Sequence, residues 1–161
     1  MGAIRVFLGW AIAVLMAVVT GSVIQTQFNM SALANLGVEI GWGERLDATW
    51  HDLINFTPAY ALLVSIAFAI AWPIVGLLKR WLPDQRTMLF TLAGFAAIWT
   101  MISIMNQALP VTGIAATRGL AGVLALSLCG AAAGWLYTRI LPAAGHPART
   151  GIGAKPLKRF R

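Results

Sequence analysis

Four apolar blocks of membrane-crossing length dominate this sequence, over residues 6–24, 56–78, 88–105 and 114–141. A hydrocarbon core of about 30 Å takes roughly 20 apolar helical residues to cross. The composition agrees, with 59% hydrophobic and 11% charged residues in a chain of 161 and a mean hydropathy of +0.77. A soluble domain of this size carries far more charged surface. The expected fold class is therefore all-α: an integral membrane four-helix bundle with an interfacial amphipathic helix between spans one and two. Residues 1–141 make one transmembrane domain, and residues 142–161 a basic cytoplasmic tail.

The charges fix an orientation. A formal net charge of +7 would suit nucleic acid, but the basic residues flank apolar blocks. Arg5, the loop from Lys79 to Arg86, and the tail with Arg149, Lys155, Lys158, Arg159 and Arg161 are basic. Glu39, Glu44, Asp47 and Asp52, four of the five acidic residues, fall together between Gln25 and Asn55 against a single Arg45. The positive-inside rule then predicts a bacterial inner-membrane protein with both termini cytoplasmic and the acidic connection outside. Nucleic acid is not an expected partner; membrane lipids, other membrane subunits or further copies of the chain are.

Within the first block Gly9, Ala13, Ala17 and Gly21 recur every fourth residue and share a helix face that another backbone can approach closely. A cleaved signal peptide has a similar outline, but this apolar run is long for one. In the acidic connection, Leu46, Trp50, Leu53 and Ile54 follow helical spacing, which predicts an amphipathic helix within about 30–55 lying in the interface with Trp42 and Trp50 at headgroup level. Ser31 to Leu36 predicts a separate short helix ended by Gly37. Pro58 suits the first turn of the second span, and Pro73 should kink its far end. In the fourth block Gly130 and Gly134 form G-x-x-x-G, a close-packing spacing that serves internal or partner contacts alike. Trp135, Tyr137 and Arg139 give that block an aromatic and basic margin. Trp99 stands in mid-span, where core packing or a partner would account for it.

Arg118 is the only charged residue set clearly inside a membrane-length block, Arg139 lying at the margin, which makes it the first candidate for function. Spans three and four form a tight hairpin, so residues equally distant from the turn lie at one depth. That places Ser103 and Thr100 near Arg118, with Thr20 and Tyr60 at a similar level and Gln25, Gln27, Asn29, Asn106 and Gln107 as a polar rim. On the fourth block Arg118 shares an otherwise small face with Gly122, Ala125 and Cys129. The functional reading is that Arg118 binds a lipid phosphate, a carboxylate or another anion through its planar donor fork. Two bland readings stand beside it: the side chain reaches the outer interface, or it pairs with Glu44, Asp47 or Asp52.

Catalytic chemistry finds few residues. The spans contain no Asp or Glu to relay protons and no histidine to hold a haem, and the lone Cys129 excludes an internal disulfide or a CxxC pair. His51 with Asp47 and Glu44 is too sparse a set for a metal. No cofactor or metal is expected. The expected function is non-catalytic: an accessory or scaffolding subunit of a membrane assembly, binding a lipid or other anionic group near Arg118. A carrier or channel for an uncharged or anionic solute is the alternative, and a lipid-headgroup enzyme using His51, Asp47 and Arg118 the second.

Overall fold

The computed structural model describes residues 2–109 and 114–141, and their regular structure is all helical, without strands. The tail from residue 142 onward and the turn at residues 110–113 lie outside the described residues. Five helices run in order: α1 (Ala3–Asn35), α2 (Trp42–Asn55), α3 (Thr57–Leu78), α4 (Arg86–Ala108) and α5 (Leu120–Ile140). All but α2 are long and apolar enough to cross a membrane, the make-up of a multi-pass membrane protein.

Those four pack as a ring in which α1 touches α3 and α5, and α4 touches α3 and α5. Ring neighbours run antiparallel: Gly9 near the start of α1 meets Leu141 just past the end of α5, while Gly21 meets Tyr60 near the start of α3. At the Leu141 end an aromatic cluster fills the middle of the ring. Trp72 of α3 lies 4.3 Å from the Tyr137 ring of α5 and 5.8 Å from Phe90 of α4. Tyr137 is thus a core residue, whereas Trp135 remains exposed beneath the Arg139 guanidinium.

Two boundaries differ from the sequence expectation, each for a local reason. The helix of the first block continues 11 residues beyond Ile24, so Ser31–Leu36 is no separate element. It ends at Gly37, whose φ of 86° permits the closing bonds Gly37 N–H to Ala34 O and Val38 N–H to Leu33 O, a Schellman arrangement. The fourth block does not begin as an α-helix at residue 114. Ala115–Arg118 form one 3-10 turn, Gly119 is extended, and α5 starts only at Leu120. The boundary between α2 and α3 falls where the sequence places it, with Phe56 alone, itself helical in φ and ψ, between them. Pro58 has no N–H for the Ile54 carbonyl, so the hydrogen-bond ladder breaks there.

Candidate anion-binding cleft at Arg118

The turn that carries Arg118 is held by side chains from two helices. Gln25 of α1, buried, accepts the Ala116 N–H through Oε1 at 3.0 Å. Thr117, also buried, donates to the Ile114 carbonyl at 2.8 Å and lies 3.3 Å from Asn106 Oδ1 of α4. The turn then folds back on α5: a Cβ at Gly122 would collide with the Ala116 carbonyl oxygen, so only glycine fits there. Buried backbone groups that would otherwise lack partners are satisfied, which makes this turn a fixed platform.

Arg118 projects from that platform and is exposed. It lines a cleft of about 520 Å³ between the overhanging end of α1 and the start of α5, with Phe28, Asn29, Leu33, Ala121 and Gly122 among the walls. Arginine and asparagine supply polar groups in an otherwise mainly apolar lining. Among the described residues the one contact between a basic side chain and a carboxylate is His51 Nδ1 with Asp52 Oδ1, at 4.0 Å. Arg118 therefore has no carboxylate partner among them, and its pairing with Glu44, Asp47 or Asp52 is not formed.

The residues matched to Arg118 by depth are dispersed around the ring. Asn106 does reach the platform, through Thr117. Gln107 is exposed. Ser103 donates to the Trp99 carbonyl of its own helix at 2.8 Å, and Thr20 to that of Met16 at 2.7 Å. Tyr60 is wedged against Gly21 inside the bundle, its hydroxyl without a partner. Thr100 opens onto a different feature, an apolar groove of about 970 Å³ along α3 and α4. The cleft walls Phe28 and Leu33 were missed, although the helical spacing of Phe28, Ala32 and Leu36 past Ile24 is a readable signal. Gln25, expected at the polar rim, is instead buried and holds the Ala116 N–H.

The small-residue positions are used inside the chain. Gly9 packs against Leu141 and Tyr137, Gly21 against Tyr60, and Ala13 and Ala17 are fully buried. Gly130 and Gly134 face Phe90 and Gly94 of α4. Trp99 is half-buried and stacks on Phe95 at 5.8 Å.

The polar side of α2 is turned toward α1. Thr26 donates to Asp52 Oδ2 at 2.7 Å, while Gln27 bridges Thr49 and Arg45, each at 3.3 Å. Glu44 accepts the Gly41 N–H at 2.6 Å and so closes the start of the helix. With that face occupied, Trp42, Leu46, Trp50 and Ile54 point away from the bundle, Trp42 being 85% exposed. No three His, Cys, Asp or Glu residues converge as a metal set among the described residues. Comparison of the chain with family models, with curated proteins and with solved structures gives no match.

Proposed function

We propose that this chain is a non-catalytic bacterial inner-membrane protein, an accessory or scaffolding subunit of a membrane assembly, with Arg118 holding a lipid or other anionic group. The groove between α3 and α4 carries the first part. It runs from Leu63 and Leu109 at one end to Leu78 and Leu89 at the other, and Thr100 is its one hydroxyl. Small residues, Ala67, Ala71, Ala93 and Ala97, line it in mid-course, and small residues let a further helix approach closely in lipid. A transmembrane helix of another subunit, or of a second copy, fits that shape.

The orientation follows from charge. With both termini cytoplasmic, the loop from Lys79 to Arg86 lies inside and the acidic α2 segment outside. The outward apolar stripe of α2, with its two tryptophans, then supports an interfacial position for that helix. Cysteine at Gly43 should react with an impermeant maleimide in intact cells, whereas cysteine at Asp84 should react only after lysis; the reverse pattern would invert the topology.

The subunit reading is tested by photo-crosslinking in native membranes. A crosslinker at Leu92, in the groove, is expected to give a discrete heavier adduct, and one at Leu15, on the exposed side of α1, none. Absence of any Leu92 adduct, together with a bare monomer after purification in mild detergent, would overturn it.

A further inference from the structure

We propose that the cleft beside Arg118 is a phospholipid site, taking a glycerophospholipid phosphate on the guanidinium and one acyl chain between α1 and α5. This deepens, and rests on, the reading that Arg118 holds an anionic group.

Three features converge on an amphiphile rather than a soluble anion. First, the cation is unpaired: no carboxylate meets Arg118 among the described residues, and an exposed guanidinium keeps its donors for a bidentate phosphate contact. Second, the wall beyond it is apolar. Phe28 and Leu33 of α1 face Ala121 and Gly122 of α5 across a volume of about 520 Å³, within the range of small-molecule sites, roughly 300–1,000 Å³. A free phosphate would leave that surface uncovered, whereas an acyl chain covers it. Third, the rim is already positive. The first turn of α5 has neither an acidic residue nor a side-chain cap, so the helix dipole and Arg118 favour the same charge.

The position in the fold favours a lipid over a protein partner. The cleft opens at the start of α5, one of the helices long and apolar enough to cross a membrane. A headgroup at that level leaves its chain to run down the helix. Gly119, with no side chain and open space beside it, and the short Ala121 leave room for the chain to begin. The platform does not have to form on binding, because Gln25 and Thr117 already fix it.

The test uses the full chain in a mild non-ionic detergent, offered phosphatidylglycerol and measured by native mass spectrometry. Wild type is expected to retain one phosphatidylglycerol through a detergent wash. Arg118→Gln should lower retention about tenfold, the loss of one charge-assisted contact. Leu33→Trp, which fills the cleft and leaves the charge, should lower it as well. Ala121→Leu obstructs the same space from α5 and repeats the test should Leu33→Trp fail to keep its helix content. Arg118→Lys should fall between Arg118→Gln and wild type.

Inorganic phosphate alone, at millimolar concentration, should not displace the lipid. Retention unchanged in Arg118→Gln would overturn both the lipid site and the anion reading on which it rests. If phosphate competes and the cleft-filling variants behave as wild type, the lipid proposal fails and a simple anion site survives. Neither outcome touches the subunit reading, which the groove crosslink decides.

Discussion

Helix α4 makes two seams of opposite kind. Against α5 it packs backbone to backbone: a Cβ on Gly94 would strike the Gly130 carbonyl, one on Gly130 the Gly94 carbonyl, and one on Gly134 the Phe90 carbonyl. Against α3 it stands off and leaves a groove of about 970 Å³. The two seams draw on similar residue types, chiefly aliphatic side chains with alanine and glycine. What separates them is where the smallest residues fall. Glycines facing each other remove the side chains at the crossing of α4 and α5, so each carbonyl comes up against the opposing glycine, the mode of association available where lipid gives helices no hydrophobic drive to associate. Alanines facing isoleucines and leucines across α3 and α4 leave ridges that hold the axes apart.

The contrast breaks most readily at Gly94. In Gly94→Leu the new side chain meets backbone on α5, which cannot rotate aside, so the helices must separate. Overpacking ordinarily costs about 1–3 kcal/mol, and this substitution should reach the top of that range or exceed it. Thermal unfolding in detergent, followed by circular dichroism, should show a large fall in midpoint or no folded protein. A wild-type midpoint would refute the tight seam. Gly134→Ala adds only a methyl to the same contact, against the Phe90 carbonyl. A smaller loss, about 1–2 kcal/mol, is expected in the same measurement.

A third seam sharpens the comparison because it is built from side-chain hydrogen bonds. Thr26 of α1 donates to Asp52 of α2 at 2.7 Å, and the Asp52 side chain is 26% exposed. Water therefore competes for the carboxylate, which keeps this bond below the strength of a fully buried one. Thr26→Val preserves shape and removes the donor. Local opening of α2 should become easier by about 1 kcal/mol, read as amide exchange roughly fivefold faster over Trp42–Asn55 with the rest of the bundle unchanged. Exchange as slow as wild type would mean that α2 is held by something other than this contact.

Much of the architecture was legible because hydropathy reports span number and approximate length directly. The second span, expected over 56–78, is α3 at Thr57–Leu78, with Pro58 marking its start. The extension of α1 was legible only in the spacing of Phe28, Ala32 and Leu36, since Gln25, Thr26, Gln27 and Asn29 have the composition of a loop. Their polar groups find partners only in three dimensions, Gln25 on Ala116 and Thr26 on Asp52. The start of α5 was hidden for a similar reason: Gly122 looks unremarkable until Ala116 folds back over it. For the candidate site, depth matching reached Asn106 but misplaced Thr100 and Ser103. Distance from a turn gives a residue's level and says nothing of which way it faces. The rotation of α4 is set by Gly94 meeting Gly130, and that contact turns Thr100 toward the α3 groove.

The smallest expected effect lies two residues beyond Gly94, on the other side of the same helix. Ala96 is exposed and lines the groove with α3. In Ala96→Leu the added carbons enter open space, displace no backbone and leave the rotamer free. Leucine is also a good helix former, so the intrinsic cost relative to alanine is only a few tenths of a kcal/mol. The folded chain alone should therefore melt within about 0.5 kcal/mol of wild type, in the usual range for surface substitutions. Gly94→Leu and Ala96→Leu place the same side chain on one helix, two positions apart, so helix propensity cannot explain a large difference between them. If both variants lose stability equally, the groove is closed in solution and the two seams are alike. If Ala96→Leu melts normally yet abolishes the Leu92 crosslink in native membranes, the space left by α3 and α4 belongs to a partner helix rather than to this chain.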